Sequence, residues 1–486
     1  MKIIAVGASV TGLAAAAALA DAGHEVQLVE RESTTPPSTL DDAADGWPRP
    51  TVPQAAHSHA FGSRGTNLLR DRLPDVYDAL VEAGAGEVNL ADFPPPTLGD
   101  FERTPADDEL NMLTVRRSVF EWVLRERALS RAGVSVRTGA TVRGLVTSAG
   151  ETGERVTGVR LADGTELTAD LVLDASGRKT AALQWLGAAG LPVPEQTSES
   201  CRITYYTRYY RRLTPAPPGP LNRGFGAGGL WDSYTAVLFL GEGDTFSISL
   251  GVLPDDKEMK ALRTEAAFTA AIRATPLLAG WVAPGNSEPI SPVYAMGGLD
   301  NSSRLADPAG DLPVGFYGLG DAVCTTNPAY GRGVSLALAH VYELVDLLAA
   351  HPTVDRAQAA KFAGASKALL APWLGESIAN DRGRAGLWEA TVAGQRPQAP
   401  PPGVLTFGAV VAASTKDVEI WRRVAQVMMS LVSPAELYAN DEIAERVGRA
   451  LAGGPPPQLP GASRTELVAA VRDADEGGST ESRLAA

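Results

Sequence analysis

Lys2-Ile3-Ile4-Ala5-Val6-Gly7-Ala8-Ser9-Val10-Thr11-Gly12 lies at the head of the chain, and Leu13 to Ala20 (LAAAAALA) follows it. The short apolar run reads as a buried strand and the alanine-rich octet as a strong helix former, which Gly23 ends. A second strand, Glu25 to Val29, stops at the acid Glu30. Strand, glycine turn, helix, strand and acid in this order form a unit that holds a dinucleotide. Gly7 permits the tight turn, Gly12 lets the helix close on the strand, and the helix amino terminus offers free N–H groups to a pyrophosphate. Glu30 is the candidate acceptor for a ribose diol. Ser9 stands where the pattern expects a middle glycine and adds two heavy atoms beside the phosphate. The unit alone does not choose between NAD and FAD.

Two distant segments extend the pattern. Asp170-Leu171-Val172-Leu173-Asp174-Ala175-Ser176-Gly177-Arg178 is a strand that ends in an acid and a small-residue turn. Val314-Gly315-Phe316-Tyr317-Gly318-Leu319-Gly320-Asp321 is another, followed by Asn327-Pro328-Ala329-Tyr330-Gly331-Arg332-Gly333-Val334-Ser335 and a helical run from Leu336 to Leu348. The Asp321 carboxylate can accept from sugar-like hydroxyls, and the Gly-Arg-Gly turn presents backbone N–H groups at the positive end of a long helix. Asp321 could instead only cap its turn, but its place between a strand and a glycine-rich helix start favours cofactor binding.

With these motifs in order, the chain resembles the FAD-dependent monooxygenases of the para-hydroxybenzoate-hydroxylase-like fold over about 350 residues. The resemblance is closest to the polyether-epoxidase-like, secondary-metabolite subgroup. Its marks are Val52-Pro53-Gln54 with His57 and His59, Glu82-Ala83-Gly84-Ala85, and Val115-Arg116-Arg117-Ser118-Val119-Phe120-Glu121. The resemblance implies that Gly7, Ser9, Gly12 and Glu30 hold the ADP half of FAD and that Asp321 binds the ribityl chain. It also implies that Gly331, Gly333 and Val334 meet the flavin, with Pro328 beside its reactive carbon and Arg117 facing it. Asp174 is counted among the cofactor residues, although Asp174-Ala175-Ser176-Gly177 departs from the Asp-Gly pair of aromatic hydroxylases. That difference leaves the electron source open between NAD(P)H and a partner flavin reductase.

The implied fold is α/β: a Rossmann-like FAD-binding domain with an inserted antiparallel substrate sheet and a helical region at the carboxyl end. The motif positions divide the FAD domain into residues 1–92, 112–180 and 293–350, with substrate segments at 93–111 and 181–292. A helical region occupies 351–452, with segments at 354–370, 374–393 and 412–432 and prolines 397, 400, 401 and 402 before the last. Residues 453–486 read as a linker and fraying tail, with a capping box at Ser463 and Glu466 opening a short helix.

In the substrate insertion, Cys201 to Arg212 (CRITYYTRYYRR) is rich in β-formers. Alternation puts Tyr205, Thr207 and Tyr209 on one face and Tyr206, Arg208 and Tyr210 on the other. Tyr205, Tyr206 and Arg208 are the candidates for a substrate pocket, weighed against a sheet with one face packed and one wet. Trp373, Trp388, Trp421, Met428 and Met429 could edge a channel but have the helical spacing of core residues.

Composition bounds the chemistry. The chain of 486 residues has five His and two Cys, which disfavours a zinc site, a disulfide framework or an iron–sulfur cluster and leaves the chemistry to a cofactor. His57 and His59 share a segment, but with no third ligand nearby they read as packing or hydrogen-bonding groups rather than a metal site. Cys324 lacks an identifiable base and reads as a small buried residue, not a nucleophile. A net charge of −14 argues against nucleic acid or an anionic membrane as partner, and seven of the 43 cations being Lys reflects composition rather than phosphate recognition. No apolar stretch reaches the ~18 residues that span a bilayer. With no charged segment before the first strand, the expected location is the cytoplasm.

The function implied by the resemblance is a monooxygenase acting on a small apolar, natural-product-like molecule. A flavin hydroperoxide formed from O2 would pass on one oxygen atom by epoxidation or hydroxylation, and no side chain would act as nucleophile. The alternatives are a flavin-dependent reductase or dehydrogenase of a prenyl-type substrate, and a non-catalytic binding protein of the same fold. The sequence leaves the oligomeric state open.

Overall fold

The computed structural model describes residues 1–150, 153–401, 403–454, 456 and 458–484. Pro402 and parts of the expected linker and tail therefore lie outside the described residues. A five-stranded parallel sheet forms the first layer, in the order Phe316–Gly318, Leu171–Asp174, Lys2–Val6, Glu25–Val29, Val134–Arg137. Its three central strands have apolar residues on both faces, as a sheet covered on both sides requires. Val10–Asp21 and Gly333–Ala350 cover one face, packed against each other with Arg117–Leu129 alongside. Gly333–Ala350 is apolar and long enough to cross a membrane by composition, yet Leu338, Val341 and Leu344 are wholly buried in this core. The other face carries the antiparallel strands Val142–Gly150, Gly153–Leu161 and Glu166–Thr168 and the helix Ala182–Ala188.

The strands that matter most for the site form a six-stranded antiparallel sheet. Thr204–Arg212 is its hub and pairs with Thr245–Val252 on one side and with both Ser287–Pro289 and Tyr294–Met296 on the other. Tyr234–Leu240 and Gly226–Leu230 extend the sheet beyond Thr245–Val252. Tyr294–Met296 belongs to the sheet although it lies past the expected domain boundary at residue 292. One face of the sheet packs Tyr206, Tyr210, Leu238, Phe246 and Leu250 against Glu265–Arg273, Trp281 and a terminal helix.

That terminal helix corrects an expectation. Arg464–Leu484 is one long element, not a short helix with a frayed end. Leu467 and Val471 are fully buried in the core that Glu265–Arg273 and Glu258–Arg263 share with the substrate sheet, against which the terminal helix packs. The capping box is present: Ser463 N–H donates to Glu466 Oε2 at 2.8 Å and Glu466 N–H to Ser463 Oγ at 3.3 Å. Residues 354–370 and 374–393 likewise merge into one helix, Arg356–Val392, which carries Pro372 on an exposed side where the lost hydrogen bond meets water. The segment 412–432 divides into Phe407–Ser414 and Val418–Met428, because Asp417 caps the second helix through Glu419 and Ile420 N–H. Trp373, Trp388, Trp421 and Met429 are buried, and Trp388 Nε1 donates to the Trp231 carbonyl at 2.9 Å; they are core residues.

Candidate active site

A cleft runs between the parallel sheet and the antiparallel one and encloses about 1840 Å³ of space free of protein atoms, counting its open mouth. Its floor comes from the glycine turn, the 175–179 turn and the loop 325–334, and its roof from the antiparallel sheet.

The glycine turn has the geometry its sequence demands. Gly7 has φ +105°, and a Cβ there would lie 2.6 Å from the Ala175 carbonyl oxygen. A Cβ on Gly12 would fall 1.9 Å from the Gly7 carbonyl oxygen, so only glycine lets this helix approach its turn. The first helical bond runs from Leu13 N–H to Ser9 O, leaving the N–H groups of Val10, Thr11 and Gly12 directed out of the helix start. Ser9 and Thr11 line the cleft. The serine at position 9 has a specific partner, since Arg117 Nη2 donates to its Oγ at 3.1 Å.

Arg117, at the first turn of Arg117–Leu129, lines the cleft and is held on three sides. Besides Ser9, it donates from Nε to Glu121 Oε2 at 3.3 Å and from Nη1 to His59 Nε2 at 3.2 Å. Glu121 also pairs with buried Arg49, whose Nε donates to Glu32 at 2.9 Å. His59 donates from Nδ1 to the His57 carbonyl at 2.8 Å, which leaves Nε2 as acceptor for Arg117. Burial, reinforced by the Arg117 charge, pushes the His59 pKa down to about 3, so the ring is neutral at pH 7. Arg49 and Glu32 were not among the sequence candidates, and no spacing rule links residues 32, 49 and 121.

Asp321 lines the cleft in the turn Gly320–Ala322, and its carboxylate accepts no hydrogen bond among the described residues. Burial raises its pKa, while Arg117 and Arg178 oppose the rise. The turn is pinned from beneath by Gly320 N–H, which donates to His340 Nδ1 at 3.2 Å; His340 Nε2 in turn meets Ser366 at 2.7 Å. Gly333 and Val334 begin the long helix at the cleft, where the first bond is Leu336 N–H to Arg332 O, and Pro328 and Gly331 line the same wall. An anionic edge and a polyhydroxylated chain thus have complementary groups on one floor, which fits the donor and acceptor pattern of a flavin dinucleotide.

Four expected cofactor residues do not line this cleft: Gly7 and Gly12, which shape the turn that presents Ser9 and Thr11, and the two acids Asp174 and Glu30. Asp174 does not line it, because Ser176 N–H and Oγ occupy Oδ1 and Thr180 Oγ1 occupies Oδ2, making it the cap of its own turn. Glu30 is also outside the lining set, with Oε2 accepting from Ala8 N–H at 2.8 Å and Oε1 from Glu32 N–H at 2.9 Å. A carboxylate has four lone-pair sites, so Glu30 retains capacity for a ribose hydroxyl.

The roof selects one face of the strand pair. Tyr205 and Thr207 line the cleft, joined by Ser249, Val237 and Phe239 from neighbouring strands and by Met296. Tyr206 and Arg208, expected in the pocket, point the other way: Tyr206 into the core, Arg208 to Glu265 and the Ser291 carbonyl. Alternation identified the two faces, but a pair of consecutive tyrosines does not say which of them faces in. His57 is buried on the same roof, with Nδ1 2.9 Å from Thr207 Oγ1, and burial lowers its pKa to about 4. Cys324 is buried, which pushes its thiol up to about 12 and leaves no thiolate at neutral pH.

Comparison with known proteins agrees with this architecture. A family model described as tryptophan halogenase matches residues 111–186. Protein Rv3254 of Mycobacterium tuberculosis is 28% identical over 364 residues, 68% of this chain and 70% of the relative. PqsL, a probable FAD-dependent monooxygenase from Pseudomonas aeruginosa, aligns with a TM-score of 0.57 at 14% identity, covering 81% of this chain and all of that one. OxyS anhydrotetracycline hydroxylase from Streptomyces rimosus gives 0.55 at 19% identity, covering 89% and 76%. The flavin-dependent brominase Bmp2 gives 0.55 at 15% identity, covering 93% and 99%. The chain has the fold of the FAD-dependent monooxygenases and halogenases.

Proposed function

We propose that the chain is an FAD-dependent monooxygenase that transfers one oxygen atom from O2 to an apolar, natural-product-like substrate by epoxidation or hydroxylation. The observation that supports this best is the meeting, on one cleft, of the Asp321 carboxylate and the Gly333 helix start with a roof of mixed hydroxyl and apolar side chains. Ser9, Thr11 and Asp321 would hold the cofactor, and the N–H groups of Gly333 and Val334 would face its anionic edge. FAD, when bound and reduced, supplies the activation of O2. The chain's own part is to place the substrate under the roof, to exclude water from the cleft, and to fix Arg117 through Glu121 and neutral His59. NAD(P)H or a partner flavin reductase is the electron source in this reading, and the cytoplasm the place of action.

The halogenase family match favours a second reading, halide oxidation at the same cofactor. Turnover with O2 and a reductant separates the two: oxygen in the product without any halide requirement supports the first, and a strict need for chloride or bromide supports the second. Turnover that continues without O2 would establish a reductase instead, and a chain that neither retains nor takes up FAD would be a binding protein. Asp321→Ala should lower the flavin-to-protein ratio by about tenfold through loss of a charged acceptor. Wild-type flavin occupancy in that variant would remove Asp321 from the cofactor site.

A further inference from the structure

The roof hydroxyls form a chain whose protons run in one direction. Thr207 and Ser249 are directly opposed across the strand pair, with their oxygens 2.6 Å apart. Ser249 Oγ lies 2.9 Å from Ser58 Oγ, and Ser58 donates to Ser247 Oγ at 2.7 Å. His57 Nδ1 meets Thr207 Oγ1 at the other end at 2.9 Å. Each hydroxyl has one proton. Because Ser58 directs its own to Ser247, Ser249 must donate to Ser58, Thr207 to Ser249, and His57, from Nδ1, to Thr207. What Ser58, Thr207 and Ser249 keep for the cleft is lone pairs.

A second, separate network imposes the same polarity on Tyr205. Its hydroxyl donates to Asn327 Oδ1 at 2.7 Å, and Ala329 N–H donates to the same oxygen at 3.0 Å. Asn327 Nδ2 donates to Asp381 Oδ1 at 2.7 Å. The amide cannot be turned over, since that would set Oδ1 against a carboxylate and Nδ2 against a backbone N–H. Asp381 is buried on Arg356–Val392 and also receives Asn301 Nδ2 at 2.8 Å, Tyr330 hydroxyl at 3.0 Å and Arg384 at 3.2 Å, so its position is fixed by four donors. Asp381 therefore orients Asn327, Asn327 takes the Tyr205 proton, and the phenolic oxygen has only acceptor capacity left.

We propose that this roof selects substrates by the hydrogen-bond donors they present. The favoured ligand is an uncharged aromatic or polycyclic compound with hydroxyl or N–H groups on the edge that meets Ser58, Thr207, Ser249 and Tyr205. Compounds with only carbonyl, ether or carboxylate oxygens on that edge are disfavoured. Val237, Phe239 and Met296 complete the surface for the apolar body of such a ligand. Asp381 is a positioning residue for this selection, acting through Asn327. The inference rests on the reading of the cleft as the substrate site of a flavoenzyme.

The test is calorimetric titration of the FAD-loaded chain with 2-naphthol, its methyl ether 2-methoxynaphthalene, and 2-naphthoate. The naphthol should bind roughly tenfold more tightly than the ether, the effect of one or two hydrogen bonds, and the carboxylate should bind most weakly. Ser249→Ala and Tyr205→Phe should each reduce the naphthol-to-ether ratio about threefold, with ether affinity and flavin content unchanged. Asp381→Asn should reduce the ratio like Tyr205→Phe, and combining the two should reduce it no further, a non-additivity that general loosening of the fold would not produce. If Asp381→Asn does not fold, the Ser249 and Tyr205 variants decide. Equal affinity for naphthol and ether, tighter binding of the carboxylate, or no binding of any probe overturns the inference. Flavin content is read first from absorbance: a chain that retains no FAD counts against the proposed function, and the ratio is then measured on the flavin-free chain.

Discussion

Glu121 illustrates how much of the site depends on a residue that touches neither end of the chemistry. It lies between the guanidiniums of Arg49 and Arg117, all three being buried, and Arg117 alone reaches the cleft. Breaking a buried pair by removing one partner leaves a desolvated charge, which costs about 3–5 kcal/mol. Glu121→Ala should therefore lower the free energy of unfolding by about that amount, read from urea denaturation. A loss below about 1 kcal/mol would mean that Glu32 alone satisfies Arg49 and that Arg117 finds other acceptors. At this scale the sequence was a good guide to backbone roles and a poor one to side-chain partners. Gly7, Gly12 and Asp321 are placed by local turns, so local spacing suffices to find them. Arg49, His340 and Asp381 reach the site through packing between segments up to hundreds of residues apart, which no spacing within one segment records.

The first turn and the last helix differ at the scale of elements in how they can be read. Gly12 sits where a Cβ would collide with its own turn, so Gly12→Ala should shift the helix off the strand and cost about 1–3 kcal/mol or more, with loss of flavin binding in the same variant. Unchanged flavin content would show that the helix can move without disturbing its amino terminus. The helix Arg464–Leu484 was legible only at its capping box; its role was not, because its apolar residues make sense only beside Glu265–Arg273. Leu467→Ala should destabilise the chain by about 2–5 kcal/mol through the cavity it leaves, as measured by thermal or urea unfolding. A frayed tail would give no change. The roof strand shows the same limit: alternation separates its two faces, but which face meets the cleft depends on where the helices lie. Those helices cover the Tyr206 and Arg208 face, so Tyr205 and Thr207 remain for the ligand.

The scarcity of histidine in the whole molecule concentrates its acid response in a few buried rings. His340 is wholly enclosed, and burial lowers its pKa to about 3. His57 and His59 are lowered to about 4 and about 3 by the same cause, with Arg117 adding to it for His59. All three folded-state values lie below the ~6.5 of an exposed imidazole, so the unfolded chain binds more protons than the folded one between pH 6.5 and about 4. The stability contributed by keeping these rings neutral is therefore complete above pH 6.5 and declines as pH falls through that window. At pH 5 each fully buried ring would account for about 2 kcal/mol of lost stability. His340 makes the clearest test, because it accepts from Gly320 N–H beneath Asp321 and stacks on Phe362 at 5.1 Å, contacts that favour the neutral ring. Unfolding should take up about one and a half protons at pH 6.5, rising to nearly three at pH 5, with a fraction more from His24, whose pKa is also lowered. His340→Asn should reduce that uptake by about one proton, measured from the slope of unfolding free energy against pH. Because the folded ring stays neutral until pH nears 3, wild-type protein loaded with FAD should keep its flavin across this interval for as long as it stays folded, and lose it as His340 itself protonates beneath the Asp321 turn. Flavin released from still-folded protein above pH 5, or an unchanged slope in the variant, would show that His340 does not couple acid to the cofactor turn.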